Sequence, residues 1–414
     1  MLQPNAIPAA LVPHLPARWQ SATYAEVHAW ASAHPADFWS AVWEATQPHH
    51  ARTYALARLG KSWFIGSKVN LTAQVLEGHD PAATALYFRN ELIEEPLPFE
   101  RAEQYGQVAS MAAYLRDQGI GKGDTVGVYM PVVPEALFAF YAAWAVGARV
   151  CYCGITLPPT QAAERLAAAE VKLLFAADGY RYGGQSVDRM PELESLQQVL
   201  PRLRRTVLST YLDPDARWDR LCDTVTWLHT FNAEAATLDY RYVGFNHDAW
   251  VAGTQTLEQG ALLLTALKYG LDGGIQPQQR CFAAADAETE RLLWAVRMQL
   301  CGGVPVLFDG QLDYPNPYNV WKTAKEAAVT LLQLPAAGWS AEVDLTAYEQ
   351  LPHLEQLLIT GQLPLAFSAW RAAQLPMTTA HVVEWDTARQ QWRNWQVLPD
   401  ILILEHHEAD SPAE

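Results

Sequence analysis

Residues 119–152 read GIGKGDTVGVYMPVVPEALFAFYAAWAVGARVCY. In this stretch, Asp124–Met130 has the apolar alternation of a strand, Pro134–Val146 predicts a buried helix that ends at Gly147, and Ala148–Tyr152 predicts a second strand. Strand, helix and strand in this order predict a βαβ unit with parallel strands. The fold class that follows is α/β, with a doubly wound sheet.

The same alternation continues on both sides of this unit. We predict further strands at 85–89, 171–176, 304–308, 329–332 and 354–360, and helices at 99–118, 159–169, 257–269, 288–300 and 318–328. The irregular stretch 205–245 separates two α/β runs. The predicted organisation is a helical N-terminal lead-in at 1–80, a first α/β subdomain at 81–245, a second at 246–375, a residual β-rich segment at 376–405 and an acidic tail at 406–414.

The charge of the chain argues against two classes of partner. The 414 residues include 45 Asp and Glu against 29 Lys and Arg, a formal net charge of −16. Nucleic acids and anionic membrane surfaces need clustered Lys and Arg, so we predict that the chain binds neither. The N-terminus lacks the basic and apolar segments of a signal peptide, and the longest apolar run, 136–148, is shorter than a bilayer span. We therefore predict a cytoplasmic protein without membrane insertion.

The five cysteines are an odd and sparse set, which is typical of a reducing compartment. Cys151 and Cys153 would share one face of a strand, but no second Cys/His pair has ligand spacing. We predict no metal site and no disulfide framework.

Four motifs carry a resemblance to a known family. They are Val27–Trp39 in the helical lead-in, Trp63–Asn70, Gly119–Val126 and the turn Asp178-Gly-Tyr-Arg-Tyr-Gly-Gly184. Together they resemble the acetoacetyl-CoA synthetase branch of the adenylate-forming superfamily, and Asp309-Gly310 also falls in family order. The resemblance implies the two doubly wound αβ subdomains of that superfamily's N-terminal domain plus a small β-rich segment, and we expect the mobile C-terminal lid domain to be absent.

The phosphate-binding loop is where the chain departs most from this family. Such ligases activate a carboxylate with ATP and then pass the acyl group to CoA, and their loop reads S-S-G-T-T-G-L-P-K after a Trp-bearing strand. Here the stretch Trp250–Gly260 is too short for that loop plus its following strand, which indicates a deletion. We expect Gly253-Thr254 to form a helix-capping turn, with Thr254 or Thr256 near the N-cap. Glu258 would place negative charge where phosphates should sit.

Other family positions are kept only in part. Where the family has T-G-W-M-M-W, this chain has Thr289-Glu-Arg-Leu-Leu-Trp294. The resemblance implies a residual adenylate pocket at Thr360 and Gly361. It also implies residual contacts to CoA phosphates from Arg181 and Arg189, although Gln185 replaces the second basic residue of the family's turn. No catalytic residue and no metal ligand is predicted.

These departures predict a catalytically degenerate ligase homologue that acts as a binding, scaffold or regulatory protein, with a protein partner or a second copy of itself and without a cofactor. One alternative is a divergent acid–CoA ligase that uses ATP, Mg and CoA and is completed by another chain. The other is a sensor of an acyl or CoA ligand.

Overall fold

The computed structural model describes residues 7–231, 237–252, 255–285, 287–335, 351–360, 379–386 and 391–393, together with Leu345 and Leu375. The predicted acidic tail, most of the predicted β-rich segment and Gly361 lie outside these residues.

The N-terminal part combines helices with short strands. After two 3₁₀ turns, the elements are α1 (Tyr24–Ala33), α2 (Pro35–Thr46), β1 (His50–Arg52), β2 (Leu56–Leu59), β3 (Ser62–Ile65), β4 (Lys68–Val69) and α3 (Leu71–Leu76). Thr23 and Glu26 form a capping box that starts α1. The lead-in predicted as helical contains α1, α2 and α3, and it also contains short antiparallel strands after α2. β4 also pairs with a strand at 243–244, far along the chain.

The elements of the next part are β5 (Thr84–Asn90), β6 (Leu97–Glu100), α4 (Arg101–Asp117), β7 (Thr125–Met130), α5 (Pro134–Ala145), β8 (Arg149–Gly154), α6 (Pro159–Ala168), β9 (Leu173–Ala177), β10 (Gly179–Tyr182), β11 (Gln185–Asp188), α7 (Met190–Val199), β12 (Arg205–Ser209), β13 (Thr224–Thr226) and β14 (Val243–Gly244). The βαβ unit predicted from residues 119–152 is confirmed: β7 and β8 pair in parallel and α5 connects them. Proline at the first position of α5 and Gly147, with φ +79, at its end explain the bounds of that helix.

The last part consists of β15 (Asp248–Ala252), β16 (Gln255–Glu258), α8 (Gln259–Gly273), β17 (Arg280–Ala283), α9 (Glu288–Leu300), β18 (Val304–Asp309), α10 (Asn319–Glu326), β19 (Leu331–Pro335), β20 (Gln356–Thr360), β21 (Thr379–Asp386) and β22 (Gln391–Arg393). The predicted helices at 257–269, 288–300 and 318–328 correspond to α8, α9 and α10.

Two large sheets organise the described residues. The first has the strand order β13-β12-β9-β7-β8-β15-β16, and the second has the order β22-β21-β20-β19-β17-β18-β5-β6. Within each sheet the inner strands are parallel, and β16, β22 and β6 add antiparallel edges. The predicted α/β class with two parallel sheets is confirmed.

The sheets cross the subdomain boundary that we predicted between residues 245 and 246. β5 and β6, from the predicted first subdomain, complete the second sheet beside β18. β15 and β16, from the predicted second subdomain, complete the first sheet beside β8. One hydrophobic core also runs from Leu11 to Leu307 and includes residues of the lead-in and of both sheets. The two α/β units are thus interleaved along the chain, and a single cut point does not separate them.

No helix among the described residues has both the length and the apolar character needed to cross a bilayer.

Candidate functional site at the facing ends of the two sheets

The carboxyl ends of parallel strands from both sheets meet at one place. In the second sheet, Asn90 ends β5 and Asp309 ends β18, and the two residues are register partners. In the first sheet, β7 ends at Met130, and the Val132 N–H that follows it donates to Asp309 Oδ1 at 3.3 Å. Ligands of open α/β sheets bind outside the carboxyl ends of the strands. This meeting point is therefore the candidate functional site.

Asp309 is the centre of a buried polar cluster, which we define as Asn90, Tyr211, Glu288 and Asp309. The Tyr211 hydroxyl donates to Asp309 Oδ2 at 2.9 Å, and Asn90 Nδ2 donates to the Tyr211 hydroxyl at 3.0 Å. The pKa of Asp309 is raised to about 7, chiefly by burial and also by the nearby Glu288 charge, against the opposing effect of the Tyr211 hydrogen bond. Burial also raises the pKa of Tyr211, which keeps it a hydrogen-bond donor near neutral pH.

Glu288 joins helix α9 to the first sheet. Its carboxylate accepts hydrogen bonds from the Thr156 N–H at 3.2 Å and the Thr156 hydroxyl at 2.8 Å, just after β8. Its place in the first turn of α9 suits a negative charge, because the helix dipole is positive there. Burial nevertheless raises the pKa of Glu288. Gly154 is required beside it, because any Cβ at that position would overlap the Glu288 carboxylate.

Arg291 is buried one turn further along α9. Its guanidinium NH1 group donates to the Phe308 carbonyl at 2.9 Å, at the end of β18. The side chain that stands in place of the family's central Trp is therefore tied to the second sheet. The cluster can hold or release protons and can bind a polar group, but its described members are not arranged as a nucleophile with its base.

A cleft of about 320 Å³ lies beside the cluster. It is lined by residues from 89–94 and from 314–322, including Asn90 and Glu91. Sequence reasoning missed Asn90, Glu91 and Tyr211. The signal available for the first two was their position directly after a predicted strand, where polar side chains are often functional.

Comparison with known proteins agrees with this architecture. The family described as AMP-binding enzyme matches residues 79–235. The chain is 25% identical over 367 residues to the acetoacetyl-CoA synthetase of Macaca fascicularis, and 26% identical over 367 residues to that of Mus musculus. It superimposes on the acetoacetyl-CoA synthetase from Streptomyces lividans with a TM-score of 0.83 and 27% identity, covering 94% of this chain and 65% of that one. Over most of its length, the chain is thus similar to acetoacetyl-CoA synthetases. It spans about half the length of the curated relatives that it matches, 54% in the two mammalian cases.

β15 and β16 form a hairpin in the stretch where the sequence resemblance implies the phosphate-binding loop. Ala252 pairs directly with Gln255, so two residues, Gly253 and Thr254, connect the strands. These two residues lie outside the described part of the chain. The connection is followed by strand β16. That Trp250–Gly260 is too short for the family's loop together with such a strand stays a prediction.

The predicted N-cap near Thr254 or Thr256 is wrong. Thr256 lies inside β16 and pairs with Val251, and α8 begins at Gln259 with Glu258 at its N-cap. The Glu258 carboxylate accepts a hydrogen bond from Asn246 Nδ2 at 2.7 Å. Residues 255–258 form strand β16 and not a helix cap, because their backbone groups pair with β15.

Arg181 and Arg189, the residues predicted to contact CoA phosphates, lie on the β10–β11 hairpin and just after it. The Arg189 side chain is held by contacts within the chain. It donates to the Ile155 carbonyl at 3.2 Å and to the Glu192 carboxylate at 2.9 Å, and its guanidinium lies over the Tyr180 ring. Since neighbouring strand residues point to opposite faces, Arg181 points away from Tyr180. The half-buried Arg181 side chain has no hydrogen-bond or ion-pair partner among the described residues. Their joint role in CoA binding stays a prediction.

Thr360 ends β20, where it is the register partner of Pro335 at the end of β19. It therefore lies at a carboxyl strand end of the second sheet, as an adenylate pocket residue would. Gly361 lies outside the described residues, so the predicted pocket at Thr360 and Gly361 stays a prediction.

Proposed function

We propose that this chain is an acyl-CoA-synthetase-like protein that does not form acyl-adenylates with ATP, and that it acts as a binding, scaffold or regulatory protein. The observation that supports the proposal is the β15–β16 hairpin. A triphosphate needs several free backbone N–H groups and a cation around it. The hairpin offers a connection of two residues, and the amides on either side of it belong to strands that pair with each other.

The charges near the hairpin also support the proposal. No lysine occurs between Lys172 and Lys268. Lys172 is paired with Asp124, and Lys268 is buried within α8. Glu258, at the base of the hairpin, adds a carboxylate. A polyanion bound close to this carboxylate would be repelled by it.

This chain keeps the core packing that the synthetase-like fold needs, but it does not keep the phosphate-binding loop. Strands β7 and β9 are fully buried, β8 is buried from Val150 onward, and the register of β7 with both neighbours is continuous. A protein retained as a scaffold needs this core but does not need the phosphate loop, so this pattern favours a binding role.

Nucleotide binding tests the proposal directly at the hairpin. Isothermal titration with Mg–ATP and with AMP should give no heat above dilution, and a mixture of ATP, Mg²⁺, acetoacetate and CoA should release no pyrophosphate above the protein-free rate. An active acetoacetyl-CoA synthetase in the same assay is the positive control. Saturable ATP binding, or pyrophosphate release that depends on this chain, would contradict the proposal and support the divergent ligase that uses ATP, Mg and CoA.

The Arg181 side chain favours the sensor alternative, because a half-buried guanidinium that has no partner in the described part of the chain can hold an anion. Thermal unfolding with CoA and acetoacetyl-CoA tests it. If Arg181 holds the ligand, the R181A variant loses a stabilisation that the R202A variant keeps. Arg202 is a suitable control because its side chain is 62% exposed and pairs only with Glu170 among the described residues.

The proposal includes binding to a protein partner or to a second copy of this chain. It also includes a cytoplasmic location, which is supported by the sequence pattern alone. Leu56 and Leu59 on β2 support a contact surface, since they are 49% and 64% exposed. Light scattering of the purified chain, compared with an L56S/L59S variant, tests self-association. Co-purification from native cells tests for another partner.

A further inference from the structure

Three backbone N–H groups converge on the carboxylate of Glu91. Glu91 Oε1 accepts from the Gly183 N–H at 2.8 Å and from the Gln311 N–H at 2.8 Å, and Oε2 accepts from the Gly184 N–H at 2.7 Å. Glu91 follows β5, and Gln311 follows β18, both in the second sheet. The two glycines form the turn of the β10–β11 hairpin, beside the first sheet. The carboxylate therefore joins segments from both halves of the fold.

The backbone around this carboxylate is shaped by glycine. Gly183 and Gly184 have φ values of +61 and +77, which is the two-residue hairpin turn that needs positive φ at both positions. Gly310 has φ +116, and a Cβ at Gly310 would lie 2.5 Å from Glu91 Cγ. A Cβ at Gly184 would overlap the hydroxyl of Tyr314. Side chains are excluded on these sides, and this lets the amides approach the carboxylate closely.

This arrangement has the chemistry of an oxyanion site. Successive backbone N–H groups in a turn form a concave surface that binds anions without a formal cation. Both carboxylate oxygens are used, and the Gly184 side is open to solvent. Glu91 itself is only half-buried and lines the 320 Å³ cleft described above. The carboxylate can therefore leave the amides without disrupting the core.

We propose that the amides of Gly183, Gly184 and Gln311 form an oxyanion-binding site whose resident occupant is the chain's own Glu91, and that an external carboxylate or phosphate takes its place when the Glu91 side chain swings out. With Glu91 bound, the β10–β11 turn is held against the second sheet. With an external anion bound, that link is lost. The proposal does not depend on whether the chain turns over ATP.

The matched pair E91A and E94A tests it. Both changes remove one carboxylate from the same loop, but Glu94 is exposed and takes no part in the three-amide site. Thermal unfolding is followed against inorganic phosphate in one series and acetate in another, with chloride replacing each anion at constant ionic strength. E91A should show a saturable stabilisation at anion concentrations where wild type and E94A, in which Glu91 competes for the site, respond only weakly. If Glu91 fills the site for at least about 90% of the time, its removal tightens apparent anion binding by about tenfold or more.

The two anion series distinguish the class of ligand. A response to both indicates a general oxyanion site, and a response to one alone assigns it to carboxylates or to phosphates. E91Q is the second variant, because its single oxygen keeps part of the bonding while its NH₂ group faces at least one N–H donor. It should fold and respond to anions with intermediate strength.

If E91A does not fold, E91Q and the amide hydrogen exchange of Gly183 and Gly184 in wild type decide the matter. Phosphate should then change exchange at these amides and not at other hairpin amides. A folded E91A or E91Q that responds to anions no more than E94A would overturn the proposal. Unchanged exchange at both glycines in saturating phosphate would also overturn it.

Discussion

Replacing Asp309 by Asn should remove a pH dependence of stability that the buried carboxylate creates. Burial raises the pKa of Asp309 from 3.8 to about 7. Between these values the folded protein holds a proton that the unfolded chain has released. Unfolding then releases a proton, so the free energy of unfolding falls as the pH rises. The stabilisation that protonated Asp309 contributes is fully present below about pH 4 and is lost by about pH 7.

The size of the effect follows from the same shift. Each pH unit between the two pKa values corresponds to about 1.4 kcal/mol of unfolding free energy. Titration of Asp309 therefore lowers the free energy of unfolding by about 4 kcal/mol in all, and by about 3 kcal/mol between pH 5 and pH 8. D309N keeps an oxygen for the Val132 N–H, but its NH₂ group meets the Tyr211 hydroxyl, which costs about 1 kcal/mol at every pH. Wild type should therefore lose about 3 kcal/mol more than D309N over this pH range.

Urea unfolding at pH 5, 6, 7 and 8, followed by tryptophan fluorescence, measures the difference. E288Q is a second comparison, because removal of the Glu288 charge lowers the pKa of Asp309 and moves the loss to lower pH. Y211F should move the loss to higher pH, since the Tyr211 hydrogen bond holds the pKa of Asp309 down. The same pH slope in wild type and D309N would refute the reasoning, whatever the absolute stabilities.

Three further changes test the packing. W43A should lower the free energy of unfolding by about 3–5 kcal/mol, because Trp43 is buried and its ring centroid lies 4.9 Å from that of Phe64. L59A, at an exposed position, should stay within about 0.5 kcal/mol of wild type. Equal losses in urea unfolding would contradict the buried ring stack. G127A should cost about 1–3 kcal/mol, since its Cβ would lie 2.8 Å from Val171, and a neutral result would show that β7 can shift. N70A should lower the free energy of unfolding by about 3 kcal/mol in the same titration, because Asn70 is fully buried, caps α3 and donates to the Trp144 carbonyl. A loss below about 1 kcal/mol would argue against these hydrogen bonds.

Local sequence patterns predicted the individual elements of the α/β fold well. The strand at 124–130 and the helix at 134–146 follow from apolar periodicity, proline at a helix start and glycine at its end. The same patterns carry no information on which strands become neighbours. β5 pairs with β18, and β15 pairs with β8, because burial and register over the whole chain decide these partners. For this reason the predicted boundary at 245 does not divide the sheets.

The candidate site was less accessible to sequence reasoning. The polar cluster around Asp309 depends on Tyr211 and Asn90, which are far apart in the chain and meet only because two strand ends face each other. Glu91 could be recognised as an anion-site residue only from the hydrogen bonds that it makes. The sequence predicts a shortened phosphate loop, but it does not predict the β15–β16 hairpin. It predicts a helix-capping turn at Gly253-Thr254 and a helix from Leu257, whereas pairing with β15 makes residues 255–258 a strand.

Under the proposed function, the β15–β16 hairpin explains how a phosphate loop can be lost without loss of the fold. Strand β15 joins the sheet through Trp250 opposite Val150, and its other side faces β16. Pairing of Val251 with Thr256 and of Ala252 with Gln255 satisfies backbone groups that a shortened loop would otherwise leave to solvent at the sheet edge. The same pairing uses N–H groups that a phosphate would need, so stability and phosphate binding compete for the same donors. Under the proposed function, a strand that covers the outer side of β15 in this way supports the sheet and at the same time disfavours nucleotide binding.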